Sequence, residues 1–178
     1  LGYMTYKLLR VAKGIEKPTD RDNFMYKRIE TPGVLLNGLF KEYYKMMLQT
    51  IYTKIDKEYY YHVNQYQNEQ FLNLVQNNFK MFFSERTVET GFKKAFKGNW
   101  GAQAHTKKLG VIQDLNRLSF NSALSQRRKT NLPLQASAKV IGPRLLHGSQ
   151  IGYIDPVDTP DGGNVGLHKH LAILTKIS

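Results

Sequence analysis

Glycine and proline recur so closely between residues 133 and 166 that neither a long helix nor a long strand fits there. They stand at Pro133, Gly142, Pro143, Gly148, Gly152, Pro156, Pro160, Gly162, Gly163 and Gly166. Before residue 106 they are sparse, and apolar side chains recur at three- or four-residue intervals, the spacing of an amphipathic helix. The sequence therefore predicts an α+β fold, helical up to about residue 105 and then an irregular region of helices, short strands and loops.

The clearest helix start is Thr31-Pro32, with threonine as the N-cap and proline in the first helical position. An apolar stripe follows it and consists of Leu36, Phe40, Tyr44, Met47, Ile51 and Ile55. Similar periodicity predicts helices over residues 1–13, 69–83, 88–97 and 111–126. The inward side of the 69–83 helix is predicted to be Phe71, Leu72, Val75, Phe79 and Phe82. Short strands are predicted at residues 150–154 and 171–174.

The 178-residue chain carries 26 basic and 14 acidic residues, for a formal net charge of +12. Such an excess favours polyanionic partners, chiefly nucleic acid or an acidic membrane surface. Hydrophobic residues at 41% exclude an intrinsically disordered chain, and no apolar run is long enough for a membrane helix. The absence of cysteine excludes disulfides, thiolate zinc sites and a cysteine nucleophile, and it fits a reducing compartment.

The positive charge is concentrated in a run without acidic residues between Asp114 and Asp155. The cations in this run are Arg117, Arg127, Arg128, Lys129, Lys139 and Arg144. Ordinary surface salt bridging mixes the two signs of charge, and the planar fork of arginine suits phosphate and base edges. We therefore expect nucleic acid at this run, with a merely solvated basic face as the alternative.

Other candidate sites are weaker. Asp155, Asp158 and Asp161 do not have the ligand spacing of a calcium loop, and their proline and glycine neighbours are typical of turns. His147, His168 and His170 lack the partners of a zinc site. The sequence shows no Ser–His–Asp order, phosphate-binding glycine loop or nucleotide fingerprint, so we expect no covalent chemistry from this segment.

Five short motifs follow one another along the chain. They are Asp20-Arg21-Asp22 with Lys27-Arg28; Gly98-Asn99-Trp100-Gly101; Leu115-Asn116-Arg117-Leu118 with Leu124-Ser125 and Arg127-Arg128; Pro143-Arg144 with Leu146-His147; and Thr159-Pro160-Asp161-Gly162 with Asn164, Gly166 and Leu167. In this order they resemble D-R-D…K-R, G-N-W-G, L-N-R…L-S…R-R, P-R-x-L-H and T-P-E-G-x-N-x-G-L of the second-largest subunit of multisubunit DNA-dependent RNA polymerases. The resemblance covers most of the chain, from about Leu1 to Leu174.

The resemblance implies a fragment of a larger subunit with three regions. Residues 1–17 correspond to the end of the lobe, residues 18–105 to the helical protrusion part, and residues 106–178 to the fork region. In the family the fork covers the downstream edge of the transcription bubble and the RNA 3′ end. Its two loops correspond here to residues 102–110 and 130–142.

The resemblance, together with the acid-free run, also implies site residues. Those expected near nucleic acid or nucleotide are Arg117, Ser125, Gln126, Arg127, Arg128, Lys139, Arg144 and His147. Those expected in a turn near the active centre are Asp158, Thr159, Pro160, Asp161, Gly162 and Asn164. Where the family usually has E-T-P-E-G, both glutamates are aspartates here, so the charge remains but the reach is shorter.

The implied reaction is transfer of a ribonucleoside monophosphate to an RNA 3′ end. The implied Mg²⁺ is held mainly by the largest subunit, so we expect no catalytic or metal-binding residue here and no activity from the segment alone. The implied partners are DNA template, RNA transcript, ribonucleoside triphosphates, and the largest and other polymerase subunits, without a membrane. The implied location is intracellular, in the nucleus or, for a viral enzyme, a cytoplasmic factory or virion. The alternative is a non-enzymatic, basic nucleic-acid-binding or interaction module.

Overall fold

A computed structural model describes residues 1–63 and 71–177 and divides the chain into two compact units. One unit is Glu30–Asn116. The other combines Leu1–Ile29 with the chain from Arg117 onward. The units thus divide after Asn116 and bring the first segment together with the last. The three family regions, 1–17, 18–105 and 106–178, stay predictions.

The Glu30–Asn116 unit is helical. Helix α2 (Pro32–Tyr61) begins at the predicted proline, and α3 (Phe71–Phe82) and α4 (Thr87–Phe96) pack against it. The buried core of this unit is Leu39, Tyr43, Ala95 and Trp100. Gly91 of α4 lies against the ring of Tyr43, where a Cβ atom would come within 2.5 Å of three ring carbons. The glycine therefore allows α4 to approach α2 at the Tyr43 ring.

The buried faces of α2 and α3 differ from the predicted stripes. In α2 the buried residues are Leu39 and Tyr43, whereas Phe40 and Tyr44 are exposed and stack on each other. In α3 the predicted Phe82 is buried, but the other buried residue is Leu74. Phe71, Leu72 and Phe79 are exposed. Both helices carry more apolar side chains than their neighbours cover, so periodicity alone does not select the packed face. The part of the predicted 69–83 helix before Phe71 lies outside the described residues.

The second unit has little regular structure. It contains α1 (Gly2–Ala12), α5 (Phe120–Arg127), and an antiparallel strand pair, β1 (Lys129–Asn131) with β2 (His168–His170). In the pair Lys129 faces His170, Thr130 faces Lys169 and Asn131 faces His168. No side chain of α1 is buried. Single 3₁₀ turns occur at Phe24–Tyr26, Gly142–Arg144, Gly148–Gln150 and Gly162–Asn164.

The predicted helix over residues 111–126 is wrong in its first half. The Ser119 hydroxyl accepts a hydrogen bond from the Ser122 amide at 3.1 Å and caps α5, so the helix begins only at Phe120. Leu118 is 89% exposed and Leu115 41%, whereas Val111 packs against the core of the helical unit. The predicted stripe is therefore not buried as one helix face, and it does not support a longer helix.

The predicted strands are also misplaced. Residues 150–154 form a turn, because Gly152 has a φ of +89° that interrupts extended backbone. The strands that do form are three-residue polar segments without an alternating pattern. The α+β prediction is confirmed, with helices and, within residues 1–63 and 71–177, a small two-stranded sheet. No helix within the described residues is long and apolar enough to cross a membrane.

Candidate nucleic-acid interface

Arg128 lies directly after α5 and uses its guanidinium on the protein's own backbone. Its Nη2 donates hydrogen bonds to the carbonyl oxygens of Ala172 at 2.6 Å and Ile173 at 3.2 Å. The Arg128 carbonyl in turn accepts the Leu171 amide at 3.1 Å. Arg128 therefore fixes the chain that leaves β2, whatever its remaining donors contact.

Arg144 is still more completely engaged. Its Nη1 donates to the carbonyl oxygens of Gly163 (2.6 Å) and Val165 (3.0 Å). Its Nη2 donates to those of Ala136 (2.9 Å) and Ala138 (3.2 Å). The two terminal nitrogens of arginine carry four N–H donors, and all four have carbonyl partners here. No free terminal pair remains for the bidentate phosphate contact expected of an interface arginine.

The predicted turn at residues 158–164 is built around the Thr159 hydroxyl and a glycine that follows the turn, Gly166. The Thr159 Oγ1 donates to the His168 carbonyl and accepts the Gly166 amide, both at 2.9 Å. Gly166 has a φ of +70°, and a Cβ atom there would lie 2.2 Å from the Arg144 carbonyl oxygen. Glycine is therefore required where the turn meets the Arg144 backbone. Gly162 and Asn164 lie in the intervening 3₁₀ turn, and Pro160 is half-buried.

The two aspartates of this turn have different environments. The Asp158 Oδ2 lies 3.3 Å from Nδ1 of the buried His170, which also lies 3.4 Å from the Ser125 Oγ. Asp161 is exposed and makes no side-chain capping bond. Of the two aspartates that replace the usual glutamates of the family, Asp158 therefore has a partner, His170, in the same unit, whereas Asp161 faces solvent.

Four cations of the acid-free run remain exposed. They are Arg117, Arg127, Lys129 and Lys139. Within residues 1–63 and 71–177 none of the four forms an ion pair with an acidic side chain. Gln126 is half-buried on α5 beside them. The predicted set thus separates into arginines that hold the fold and cations that face solvent.

His147 is the centre of a hydrogen-bonded chain whose members lie far apart in the sequence. Its Nε2 lies 2.6 Å from the Asp20 Oδ2, and its Nδ1 lies 2.6 Å from the Ser149 Oγ. The Ser149 Oγ also accepts the Phe24 amide at 2.8 Å. The Asp22 amide, and then His147, hold the pKa of the Asp20 carboxyl below its usual value. The chain joins residues 20–24 to residues 147–149, and the predicted position of His147 near nucleic acid stays a prediction.

Of two residues next to the turn, Lys169 was not identified from the sequence, and His168 was considered only as a zinc ligand. The Lys169 Nζ donates to the carbonyl oxygens of Pro143 at 3.1 Å and Leu145 at 3.4 Å, and burial lowers its pKa. Burial likewise lowers the pKa of His168, as do the positive charges of Lys129 and His170. The sequence does not mark these roles, because Lys169 depends on carbonyls distant in sequence and the environment of His168 depends on burial in the fold.

The described acidic residues do not form a metal site. Asp155 Oδ1 accepts the amides of Val157 and Asp158 at 2.9 and 3.2 Å, and these bonds lower its pKa. Across the part of the chain that the structure describes, no group of three histidine, cysteine or acidic residues is arranged to hold a metal ion. These residues therefore do not fit the magnesium ion that the resemblance implies for the whole enzyme.

The loop at residues 102–110 belongs to the helical unit. The Glu42 Oε1 on α2 accepts the amides of Ala102 and Gln103 at 3.2 and 3.1 Å and the Thr106 hydroxyl at 2.5 Å. Gly101 has a φ of +96° and leaves no space for a Cβ atom beside the Thr106 carbonyl. The two loops that the resemblance pairs as parts of one fork are thus each fixed by contacts within their own unit.

Comparison with known proteins gives matches over the full chain. A family model described as RNA polymerase Rpb2, domain 3, matches residues 113–177. The DNA-directed RNA polymerase II subunit RPB2 of Meyerozyma guilliermondii is 35% identical over 181 residues, covering 100% of this chain and 14% of that protein. The DNA-directed RNA polymerase II subunit 2 of Arabidopsis thaliana is 35% identical over 179 residues, covering 99% of this chain and 14% of that protein.

An archaeal protein is similar over the same span. The DNA-directed RNA polymerase subunit Rpo2N of Methanothermobacter thermautotrophicus is 32% identical over 180 residues, covering 100% of this chain and 31% of that subunit. The chain therefore spans 14% of the length of the two eukaryotic relatives and 31% of the archaeal one.

Proposed function

Because this chain belongs to the family of second-largest subunits of DNA-directed RNA polymerases, we propose that it takes part in DNA-templated RNA synthesis as one segment of such a subunit. The resemblance read from its motifs is confirmed, whereas the nuclear and the viral alternatives for its location stay predictions. The proposed setting is an intracellular, multisubunit, magnesium-dependent polymerase. Its proposed partners are the largest and other polymerase subunits, DNA, RNA and ribonucleoside triphosphates.

The proposed task of this segment is positioning rather than bond making. The described residues hold no group of three potential metal ligands. In the Asp20–His147–Ser149 chain the serine oxygen accepts the Phe24 amide, and around His170 both Asp158 and Ser125 lie at the same ring nitrogen, Nδ1, so that the ring does not link them. Correct orientation of reactants and electrostatic stabilisation can each contribute strongly to catalysis without a reacting side chain. We propose that this segment holds phosphates of the template, transcript or nucleotide in register.

The observation that carries the proposal is the acid-free run with its exposed Arg117, Arg127, Lys129 and Lys139. A cation without a nearby carboxylate attracts a polyanion more strongly, because no neighbouring negative charge offsets its field. Each phosphate contact also releases counterions when it forms. The neighbouring Arg128 and Arg144 donate hydrogen bonds to backbone carbonyls. These bonds restrain the backbone of the segment that carries the exposed cations.

The test is the salt dependence of nucleic-acid retention by the assembled polymerase. Arg127→Ala and Lys139→Ala are each compared with wild type and with Lys41→Ala, which removes an exposed cation of α2 outside the acid-free run. Each lost phosphate contact should reduce the slope of log affinity against log salt by about 0.9 on duplex or about 0.7 on single strands. Lys41→Ala should leave the slope unchanged.

Equal slopes for Arg127→Ala, Lys139→Ala and wild type would contradict the nucleic-acid role of these residues. Failure of the full-length subunit to assemble with a largest subunit, with nucleic-acid binding retained, would instead favour the non-enzymatic binding module.

A further inference from the structure

We infer that Arg144 is a positioning residue that couples the loop at residues 130–142 to the turn at residues 159–166, so that the two segments move as one body. The inference deepens the proposed function, since Lys139 of that loop is one of the exposed cations. It also replaces the direct phosphate contact that the sequence predicted for Arg144.

The coupling follows from the geometry of one guanidinium. Nη2 is bound to the carbonyls of Ala136 and Ala138, and Nη1 to those of Gly163 and Val165, at distances of 2.6 to 3.2 Å. Each loop therefore contributes two acceptors to the same rigid, planar group. Because the guanidinium cannot bend, displacement of one loop strains or breaks the bonds to the other.

The backbone of Arg144 is itself fixed. Pro143 occupies the start of the Gly142–Arg144 turn and sets its own φ, and the Arg144 amide donates to the Ile141 carbonyl at 2.9 Å. Gly166 packs against the Arg144 carbonyl on the other side. The side chain thus extends from an anchored point, which is what a positioning role requires.

The charge of Arg144 is matched by carbonyl dipoles, and no acidic side chain within the described residues forms an ion pair with it. Lysine would keep the positive charge at this position but offers three donors on one nitrogen, which cannot bind carbonyls on two separated loops in the same way. Arg144→Lys therefore separates charge from geometry.

The experiment measures hydrogen exchange in the assembled polymerase containing the full-length subunit. The reporters are the Ala138 amide in the loop and the Val165 and Gly166 amides in the turn, all of which are hydrogen-bonded. Arg144→Lys should accelerate exchange about tenfold or more in both segments, since hydrogen bonds to a charged group are lost. The Lys108 amide in the other unit, which donates to Trp100, serves as the internal control.

The salt slope separates this inference from the proposed function. If Arg144 only positions Lys139, Arg144→Lys should lower the slope as much as Lys139→Ala does, and the double variant should lower it no further. The opposite result would overturn the inference. In that case Arg144→Lys would keep the wild-type salt slope and Arg144→Ala would reduce it, while amide exchange in the loop and the turn stayed unchanged in both variants. Arg144 would then contact a phosphate directly. Accelerated exchange in both segments, with a slope insensitive to Lys139→Ala, would support the coupling and refute the proposed role of Lys139.

A measurement on the unmodified polymerase covers the case in which Arg144 variants do not assemble. In native-state exchange with increasing low concentrations of urea, the Ala138 and Gly166 amides should show the same opening free energy and the same denaturant dependence. Different values for the two amides would overturn the inference.

Discussion

Substitution of Gly166 by alanine tests the close packing of the turn against Arg144. At a φ of +70°, an L-residue costs about 1–2 kcal/mol relative to glycine. The added Cβ would also lie 2.2 Å from the Arg144 carbonyl oxygen and 2.6 Å from its Cα. Forcing atoms into such a packed contact costs a further ~1–3 kcal/mol.

Gly162 provides a matched control in the same turn. It has the same φ of +70°, but a Cβ atom there would have no neighbour within 4 Å. Gly162→Ala should therefore show only the backbone cost, about 1–2 kcal/mol, and Gly166→Ala should show about 2–5 kcal/mol in total. The difference between the two variants isolates the contact with Arg144.

The assay is hydrogen exchange in the assembled polymerase, read at the Leu132 and Leu167 amides. The Leu132 amide donates to the Leu167 carbonyl at 2.9 Å, and the Leu167 amide donates to Asn164 at 3.1 Å. Gly166→Ala should accelerate their exchange at least about fivefold more than Gly162→Ala, since the contact adds about 1–3 kcal/mol and about 1.4 kcal/mol corresponds to a factor of ten. Equal acceleration by the two variants would refute the close contact between Gly166 and Arg144.

Three further predictions concern the helical unit and the strand pair. Gly91→Ala should destabilise the full-length subunit by about 1–3 kcal/mol, because its Cβ would overlap the Tyr43 ring. Gly38→Ala on α2 has open space around it and should stabilise the subunit by up to about 1 kcal/mol. Equal shifts of the melting temperature, with the same sign, would contradict this prediction. Glu42→Ala should accelerate exchange of the Ala102 and Gln103 amides, which lose their shared acceptor, and unchanged protection would show that the carboxylate does not hold the loop. Burial lowers the pKa of His168 from 6.5, so the folded state favours the neutral imidazole over the charged one. The stability that depends on neutral His168 is therefore complete above pH 6.5 and is lost as the pH falls through the folded-state pKa. Exchange of β1–β2 amides between pH 7.5 and 5.5, corrected for intrinsic rates, should therefore depend on pH in wild type and less so in His168→Gln; identical profiles would remove His168 from the account.

The sequence predicted the features that depend on local chemistry. The α2 start follows from Pro32, whose ring fixes φ for the first helical position, whereas Thr31 occupies the N-cap without a side-chain capping bond. The end of α4 before Gly98 follows from glycine. The motif order predicted the family. The buried face of α2 was not predictable, because it depends on Gly91 of another helix making space for Tyr43.

The sequence identified residues of the candidate site but did not indicate what each of them does. Arginine in an acid-free run indicated a phosphate contact equally for Arg127 and Arg144, yet only Arg127 is free of carbonyl partners among the described residues. The acceptors of Arg144 lie 6 to 21 positions away in ordinary alanine, glycine and valine residues, whose carbonyls carry no sequence signal. Likewise Asp20 and His147 are 127 positions apart, so their hydrogen bond appears only in the folded chain.

Photo-cross-linking from residue 139 in an elongation complex tests the central claim most directly. A photoreactive amino acid replaces Lys139 in one polymerase preparation and Lys41, the exposed control on α2, in another. Both complexes are irradiated at low salt on the same labelled DNA and RNA. We expect covalent attachment of labelled nucleic acid at position 139, decreasing as salt rises, and none at position 41. Attachment to protein alone at position 139, at every salt concentration, would contradict it.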